Sequence, residues 1–198
     1  MSAPDVIIIG SGMGGATAAA ALAPTGRSIV ILERGDFLRP SLADRDDAAI
    51  FGRGHFRPKE EWLDGSGKPF NPGNYYNVGG NSKFYGAVLL RYRAEDFGPV
   101  RHIGGTTPGW PIGYEDLEPF YQQAEELYRV RGKLGEDPTE PPHSGDYPFP
   151  PVPDEPPIAD LRRRLMSVGL HPSSLPLGVD LSRWLANGKT TWDAFPDT

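Results

Sequence analysis

Three glycines near the start of the chain have the spacing of a phosphate-binding turn. Gly10, Gly12 and Gly15 match the pattern G-x-G-x-x-G in the segment Gly10-Ser-Gly-Met-Gly-Gly15. In this pattern the first glycine permits a tight turn, the second lets the backbone approach a diphosphate, and the third lets helix and strand pack closely. A diphosphate held there meets backbone N–H groups at the positive end of the helix. These residues therefore predict the binding of an adenine dinucleotide.

An acidic residue lies where the ribose of such a nucleotide needs one. Glu33 follows Gly15 by 18 residues, close to the roughly 20 at which a carboxylate accepts hydrogen bonds from ribose hydroxyls. The same carboxylate repels the 2′-phosphate of NADP, whereas the neighbouring Arg34 could attract it. Glu at the strand end followed by Arg favours an unphosphorylated ribose, and both NAD and FAD stay open.

The elements that must position these residues are a strand, a helix and a second strand. Asp5-Val-Ile-Ile-Ile-Gly10 is a short apolar run rich in β-branched residues, which is typical of a parallel strand buried on both faces. An alanine-rich helix is predicted over 12–23, and a similar buried strand over 28–32. This βαβ order predicts an α/β fold of Rossmann type. The alternative is a glycine turn without a nucleotide, which the whole combination disfavours.

Two later blocks carry a resemblance to a known family. Val78-Gly-Gly-Asn-Ser82 continues as Lys-Phe-Tyr-Gly86, and Trp110-Pro-Ile-Gly-Tyr-Glu-Asp-Leu-Glu-Pro-Phe-Tyr121 opens a helix predicted over 114–131. In this order the blocks resemble glucose–methanol–choline (GMC) oxidoreductases, and most closely the bacterial sugar and polyol branch related to pyranose oxidases. The resemblance implies an incomplete Rossmann-type FAD-binding core with the start of an inserted α+β substrate domain. It implies oxidation of CH–OH groups of sugars, polyols or other alcohols.

The predicted cofactor-binding residues come from the two glycine-rich segments and the end of the second strand. By the fingerprint or by the resemblance they are Gly10, Ser11, Gly12, Met13, Gly14, Gly15, Glu33, Arg34, Gly79, Gly80, Asn81, Ser82, Tyr85 and Gly86. Tyr85 stands where many family members have Asn beside the flavin. Pyranose oxidases tether FAD through a His in this motif, and Lys83-Phe84-Tyr85 offers none. The resemblance therefore implies non-covalent FAD.

The resemblance also implies a catalytic His in a C-terminal segment of a much longer chain. The sequence ends at Thr198, and none of its four histidines (His55, His102, His143 and His171) has that position. We therefore expect an N-terminal fragment or one chain of a split enzyme, inactive alone, with a missing C-terminal half or a companion chain. No catalytic or metal-binding residue is assigned. The expected domains are 1–100 for FAD binding and 101–198 for the start of the substrate region, with an acidic, Pro-rich connector over 136–157.

Composition narrows the classes of partner. The net charge of −6 in 198 residues argues against nucleic-acid binding. No apolar run approaches the ~20 residues that span a bilayer, and the N-terminus lacks the basic start of a secretory signal. The chain has no Cys, so it has no disulfide framework, and a cytoplasmic location is expected. Two other functions stay open: a non-catalytic nucleotide-binding or interaction module, and an NAD-dependent dehydrogenase.

Overall fold

The structure is a computed structural model, and it describes residues 3–39, 41, 43, 46–84 and 86–179. The chain divides into two compact units, Met1–Tyr85 and Gly86–Thr198. The predicted functional division at residue 100, between FAD binding and the substrate region, stays a prediction.

The first unit begins with the predicted strand, helix and strand. Strand β1 covers Val6–Ile9, helix α1 covers Met13–Leu22, and strand β2 covers Ile29–Leu32. The two strands pair in parallel, with Val6 opposite Ile29 and Ile9 opposite Leu32. The α/β, Rossmann-like fold class is therefore confirmed.

The prediction that both strands are buried on both faces is wrong. Ile8 contributes to the face that α1 covers, because a methyl group added to Gly15 of α1 would lie 3.2 Å from Ile8 Cγ2. On the other face of β1, Ile7 is 56% exposed and Ile9 is 87% exposed. Leu32 of β2 is also 52% exposed. The reason is that, in the described part of the chain, β1 and β2 form a sheet of only two strands, and one helix covers only one face.

The rest of the first unit is built from short elements. A π-helical turn spans Ala48–Gly52, and a 3₁₀ helix spans Gly80–Phe84. Two strands of two residues each, β3 (Trp62–Leu63) and β4 (Pro69–Phe70), pair antiparallel. An isolated parallel bridge joins Asp36 to Asn77. This bridge brings the second glycine-rich segment back to the end of β2.

The second unit contains a hairpin and two helices. Strands β5 (Val100–His102) and β6 (Gly105–Thr107) pair antiparallel, helix α2 covers Tyr114–Leu127, and helix α3 covers Pro156–Ser167. Helix α2 ends four residues earlier than predicted. The reason is local, because Arg129 adopts a left-handed backbone with φ of 53° and cannot continue a right-handed helix.

A buried arginine organises the second unit. Both nitrogens Nε and Nη2 of Arg91 donate to the Glu125 carboxylate at 2.7 Å. Its remaining hydrogen bonds go to Tyr114, Glu118 and Gln122, all on α2. The side chains of Arg91 and Glu125 are 2% and 5% exposed. The guanidinium thus uses all five of its N–H donors to hold its segment of the chain against α2.

The acidic, Pro-rich segment 136–157 packs against α2 over part of its length. The Tyr114 hydroxyl donates to the Pro142 carbonyl at 2.6 Å, and the Ser144 N–H donates to Glu118 at 2.8 Å. The His143 side chain is 2% exposed, and its two ring nitrogens have no hydrogen-bond partner among the described residues. Burial lowers the pKa of His143, and the nearby Arg91 lowers it further. Burial and Arg91 thus favour the neutral form of the His143 ring over the charged form, against the nearby carboxylates of Glu125 and Glu140.

Within the ranges that the structure describes, none of the helices combines the length and the apolarity that crossing a bilayer requires.

Candidate nucleotide-binding site

The β1–α1 turn and the first turn of α1 each need glycine at one position for structural reasons. Gly10 has a φ of 94°, in the left-handed region that glycine adopts without steric cost. Its N–H donates to the Leu32 carbonyl at 2.8 Å, which joins the turn to β2. A methyl group on Gly15 would lie 2.0 Å from the Gly10 carbonyl oxygen. The predicted role of Gly15 in close packing of helix and strand is thus confirmed by the geometry.

Gly12 differs from these two glycines because the protein itself does not require it. It is the N-cap of α1 and has an extended backbone with ψ of −179°. A methyl group there would lie 3.7 Å from the Gly79 carbonyl oxygen and 3.9 Å from Ser82 Oγ, which are ordinary contact distances. Gly12 therefore brings a bare backbone to the positive end of α1, although the fold would also tolerate a methyl group there.

Glu33 joins the end of β2 to the glycine turn. One carboxylate oxygen accepts hydrogen bonds from the Ser11 N–H at 2.9 Å and the Ser11 hydroxyl at 2.6 Å. The other oxygen accepts from the N–H groups of Arg34 at 2.8 Å and Gly35 at 3.1 Å. A carboxylate offers about four lone-pair sites, so the chain itself occupies all of them. A ribose hydroxyl would therefore compete with the Ser11 hydroxyl. Of the four donors to Glu33, this hydroxyl alone can rotate its hydrogen away, since the other three are backbone N–H groups.

These hydrogen bonds predict a pH dependence of stability. The Ser11 hydroxyl and the N–H groups of Ser11, Gly35 and Arg34 lower the pKa of Glu33 to about 2, from 4.5. Because the folded state lowers this pKa, the stabilisation is complete above pH 4.5 and is lost as the pH falls towards 2. We expect Glu33→Gln to be less stable than the wild type at pH 7, with a difference that shrinks below pH 4.5. Urea unfolding of both proteins at several pH values measures this. If the difference in unfolding free energy between the two proteins does not change with pH, the charged Glu33 carboxylate is not the source of the stabilisation.

The second glycine-rich segment lies against the first. The Ser11 hydroxyl accepts a hydrogen bond from the Gly79 N–H at 2.9 Å. The Met13 N–H donates to Ser82 Oγ at 3.2 Å, and the Ser82 hydroxyl donates to the Gly79 carbonyl at 2.6 Å. The structure therefore brings together two of the predicted motifs, which are separated by more than 60 residues in the sequence.

The approach of the two segments depends on a residue that the sequence analysis did not single out. A methyl group on Gly35 would lie 2.1 Å from the Tyr76 carbonyl oxygen and 2.4 Å from the Asn77 nitrogen. The Val78 N–H also donates to the Asp36 carbonyl at 3.1 Å. A glycine two residues past the predicted ribose-binding Glu33 was the available signal for such a close backbone approach.

The remaining predicted residues are distributed as follows. Gly80 belongs to the 3₁₀ helix with a φ of 53°, and Asn81 accepts a hydrogen bond from the Tyr75 N–H at 2.7 Å. Gly14 lies in α1 with an open surface. Tyr85 lies outside the described residues, and Gly86 begins the second unit.

Comparison with known proteins agrees with this geometry. Residues 8–57 match the family of NAD(P)-binding Rossmann-like domains. The chain is 34% identical to paromamine 6'-oxidase of Streptomyces fradiae over 137 residues. This alignment covers 65% of this chain and 24% of that protein. It is also 31% identical to 2-methyl-1,2-propanediol dehydrogenase of Mycolicibacterium austroafricanum over 160 residues. That alignment covers 75% of this chain and 28% of that protein.

A solved structure supports the fold. An FAD-dependent oxidoreductase from Chaetomium thermophilum superposes with a TM-score of 0.51 over 90% of this chain and 34% of its own length, at 18% sequence identity. The chain spans about a quarter of the length of the curated relatives that it matches. It therefore contains a Rossmann-like nucleotide-binding domain, and its homologues are oxidoreductases.

Proposed function

We propose that this chain is the nucleotide-binding part of an FAD-dependent oxidoreductase of GMC type that acts on CH–OH groups of small alcohols or sugars. The observation that carries the proposal is the meeting of the two glycine-rich segments at the N-terminus of α1, where Gly79 and Ser82 hydrogen-bond to Ser11 and Met13. The names of the relatives agree with it, since they describe a paromamine 6'-oxidase and a 2-methyl-1,2-propanediol dehydrogenase.

The residues around this space fit a non-covalent FAD. The helix N-terminus and Gly12 would face the diphosphate. The Ser11 N–H donates to the Glu33 carboxylate, and the Met13 N–H donates to Ser82 Oγ. When bound, the flavin would supply the hydride acceptor for oxidation of the carbinol carbon. The residues of this chain would bind and orient it.

On this proposal, the catalytic His would lie outside this chain, in a C-terminal half or a companion chain. We therefore expect no turnover from the 198 residues alone. The exposed apolar face of β1 and β2 supports it, because Ile9 is 87% and Leu32 is 52% exposed and further polypeptide would cover such a face. In the first unit, His55 is exposed and contacts Phe56.

The cytoplasmic location stays a prediction.

A nicotinamide-dependent dehydrogenase is the second candidate, because the matching family is described as NAD(P)-binding. Titration with FAD and with NAD separates the two candidates. Tighter binding of FAD favours the flavoprotein, and tighter binding of NAD favours the dehydrogenase. Binding of neither nucleotide would contradict both and leave the non-catalytic interaction module.

The proposal is tested by Gly12→Ala. We expect the affinity for FAD and for ADP to fall by about tenfold or more, that is by roughly 1.4 kcal/mol or more, because the new methyl group occupies the space meant for the diphosphate. The fold should be retained, since that methyl group meets protein atoms only at 3.7 Å and beyond. Isothermal titration calorimetry measures the affinity, and circular dichroism checks the fold.

The control is Gly65→Ala, in the β3–β4 turn. Its added methyl group meets no atom of the described residues within 4 Å, so both the affinity and the fold should be unchanged. Equal affinity of the wild type and Gly12→Ala for ADP would contradict the proposed site.

A further inference from the structure

Arg34 is relevant to whether the site accepts an adenosine with a free or with a phosphorylated 2′-hydroxyl. It follows Glu33 directly at the end of β2. In Rossmann-like proteins an arginine near this position accommodates the 2′-phosphate of NADP. An Arg34 side chain free to move would therefore favour a phosphorylated ribose.

In the structure, two other side chains hold Arg34. Its Nη2 lies 3.0 Å from Glu60 Oε2. Its guanidinium carbon lies 3.4 Å from the centre of the Tyr76 ring, which is within cation–π distance. The Tyr76 hydroxyl donates to the same Glu60 oxygen. The three side chains thus form a closed cluster, called here the Arg34 clamp.

The Glu60 carboxylate stays charged in this cluster. The hydrogen bond from Tyr76 lowers the pKa of Glu60, and the charge of Arg34 lowers it further. The side chains of Arg34 and Glu60 are 59% and 38% exposed. Contacts of this exposure are modest in strength, so loss of one partner should release Arg34 without unfolding the protein.

The backbone fixes where both partners of Arg34 lie. Tyr76 passes directly against Gly35, which has no side chain to exclude it, and the bridge between Asp36 and Asn77 follows at once. The Asn71 side chain donates to the Glu60 carbonyl at 3.1 Å. The clamp is therefore tied to the end of β2 at one partner and to its own loop at the other.

We propose that Glu60 and Tyr76 determine the nucleotide selectivity of this site, because they hold Arg34 away from a 2′-phosphate. The site then accepts adenosine with a free 2′-hydroxyl, and Glu33 repels a phosphorylated ribose. This inference rests on the proposed nucleotide binding and adds the residues that decide between the two ribose types.

The test compares ADP-ribose with its 2′-phosphorylated form in the full chain. The wild type should prefer ADP-ribose. In Glu60→Gln, the ratio of the two affinities should shift towards the 2′-phosphorylated form by up to about fivefold, the factor that one exposed contact of up to about 1 kcal/mol provides. The matched control is Glu61→Gln, which removes the same charge from the exposed neighbouring residue and should leave the ratio unchanged.

A second variant separates release of Arg34 from simple loss of charge. In Glu60→Gln combined with Arg34→Leu, the gain for the 2′-phosphorylated form should disappear. A gain that persists there, an equal shift in Glu61→Gln, or no shift in Glu60→Gln would overturn the inference while leaving nucleotide binding intact. If the wild type binds neither compound, the proposed function fails, and this inference fails with it.

Discussion

Gly15→Ala is expected to destabilise the first unit by about 3 kcal/mol or more, at or above the upper end for overpacking of a well-packed site. The new methyl group would lie 2.0 Å from the Gly10 carbonyl oxygen and 3.2 Å from Ile8 Cγ2. Backbone atoms cannot move aside as a flexible side chain does, so α1 and β1 would have to separate. Because a domain of this size has only about 5–15 kcal/mol of stability, much of the unit should unfold. Urea unfolding followed by circular dichroism measures the loss.

The matched control lies one residue earlier in the same helix. A methyl group on Gly14 would meet no atom within 4 Å in the described part of the chain. Gly14→Ala should therefore keep the fold and gain up to about 1 kcal/mol from the better helix propensity of alanine. Equal stability of the Gly14→Ala and Gly15→Ala proteins would contradict the packing of α1 on β1 described above.

Arg91→Met is expected to destabilise the second unit by about 3–5 kcal/mol, the usual cost of removing one partner from a buried ion pair. The substitution leaves the Glu125 carboxylate, whose side chain is 5% exposed, without its bidentate partner. It also frees the hydrogen-bonding groups of α2 that the guanidinium satisfies. The midpoint of urea unfolding, with the slope checked for constancy, measures this loss.

Two further proteins test the cause. Arg93→Ala removes a more exposed arginine, whose side chain is 48% exposed and contacts Asp137 at 3.4 Å and Thr139 Oγ1 at 2.9 Å, so its cost should be smaller, about 1–2 kcal/mol. Arg91→Met combined with Glu125→Gln should recover part of the stability, because no uncompensated charge is left at that position. A loss no larger for Arg91→Met than for Arg93→Ala would show that burial does not strengthen the Arg91 pair.

The sequence by itself determined the local part of the site. The apolar run before Gly10, the glycine spacing and the Ala-rich stretch after it predicted β1, the turn and α1, because each depends on neighbours a few residues away. The 18-residue spacing to Glu33 placed that residue correctly at the end of β2. The helix that begins at Tyr114 was predicted by its period for the same reason.

Tertiary structure alone decided which distant residues meet and which surfaces are buried. The contacts of Ser82 with Met13, and of Arg34 with Glu60 and Tyr76, join segments that share no periodic pattern. A run of β-branched residues has the same sequence pattern whether its sheet is complete or has only two strands. The sequence therefore could not predict that Ile9 is 87% exposed. Periodicity reports the shape of an element, whereas burial and selectivity depend on the partner that the folded chain brings to it.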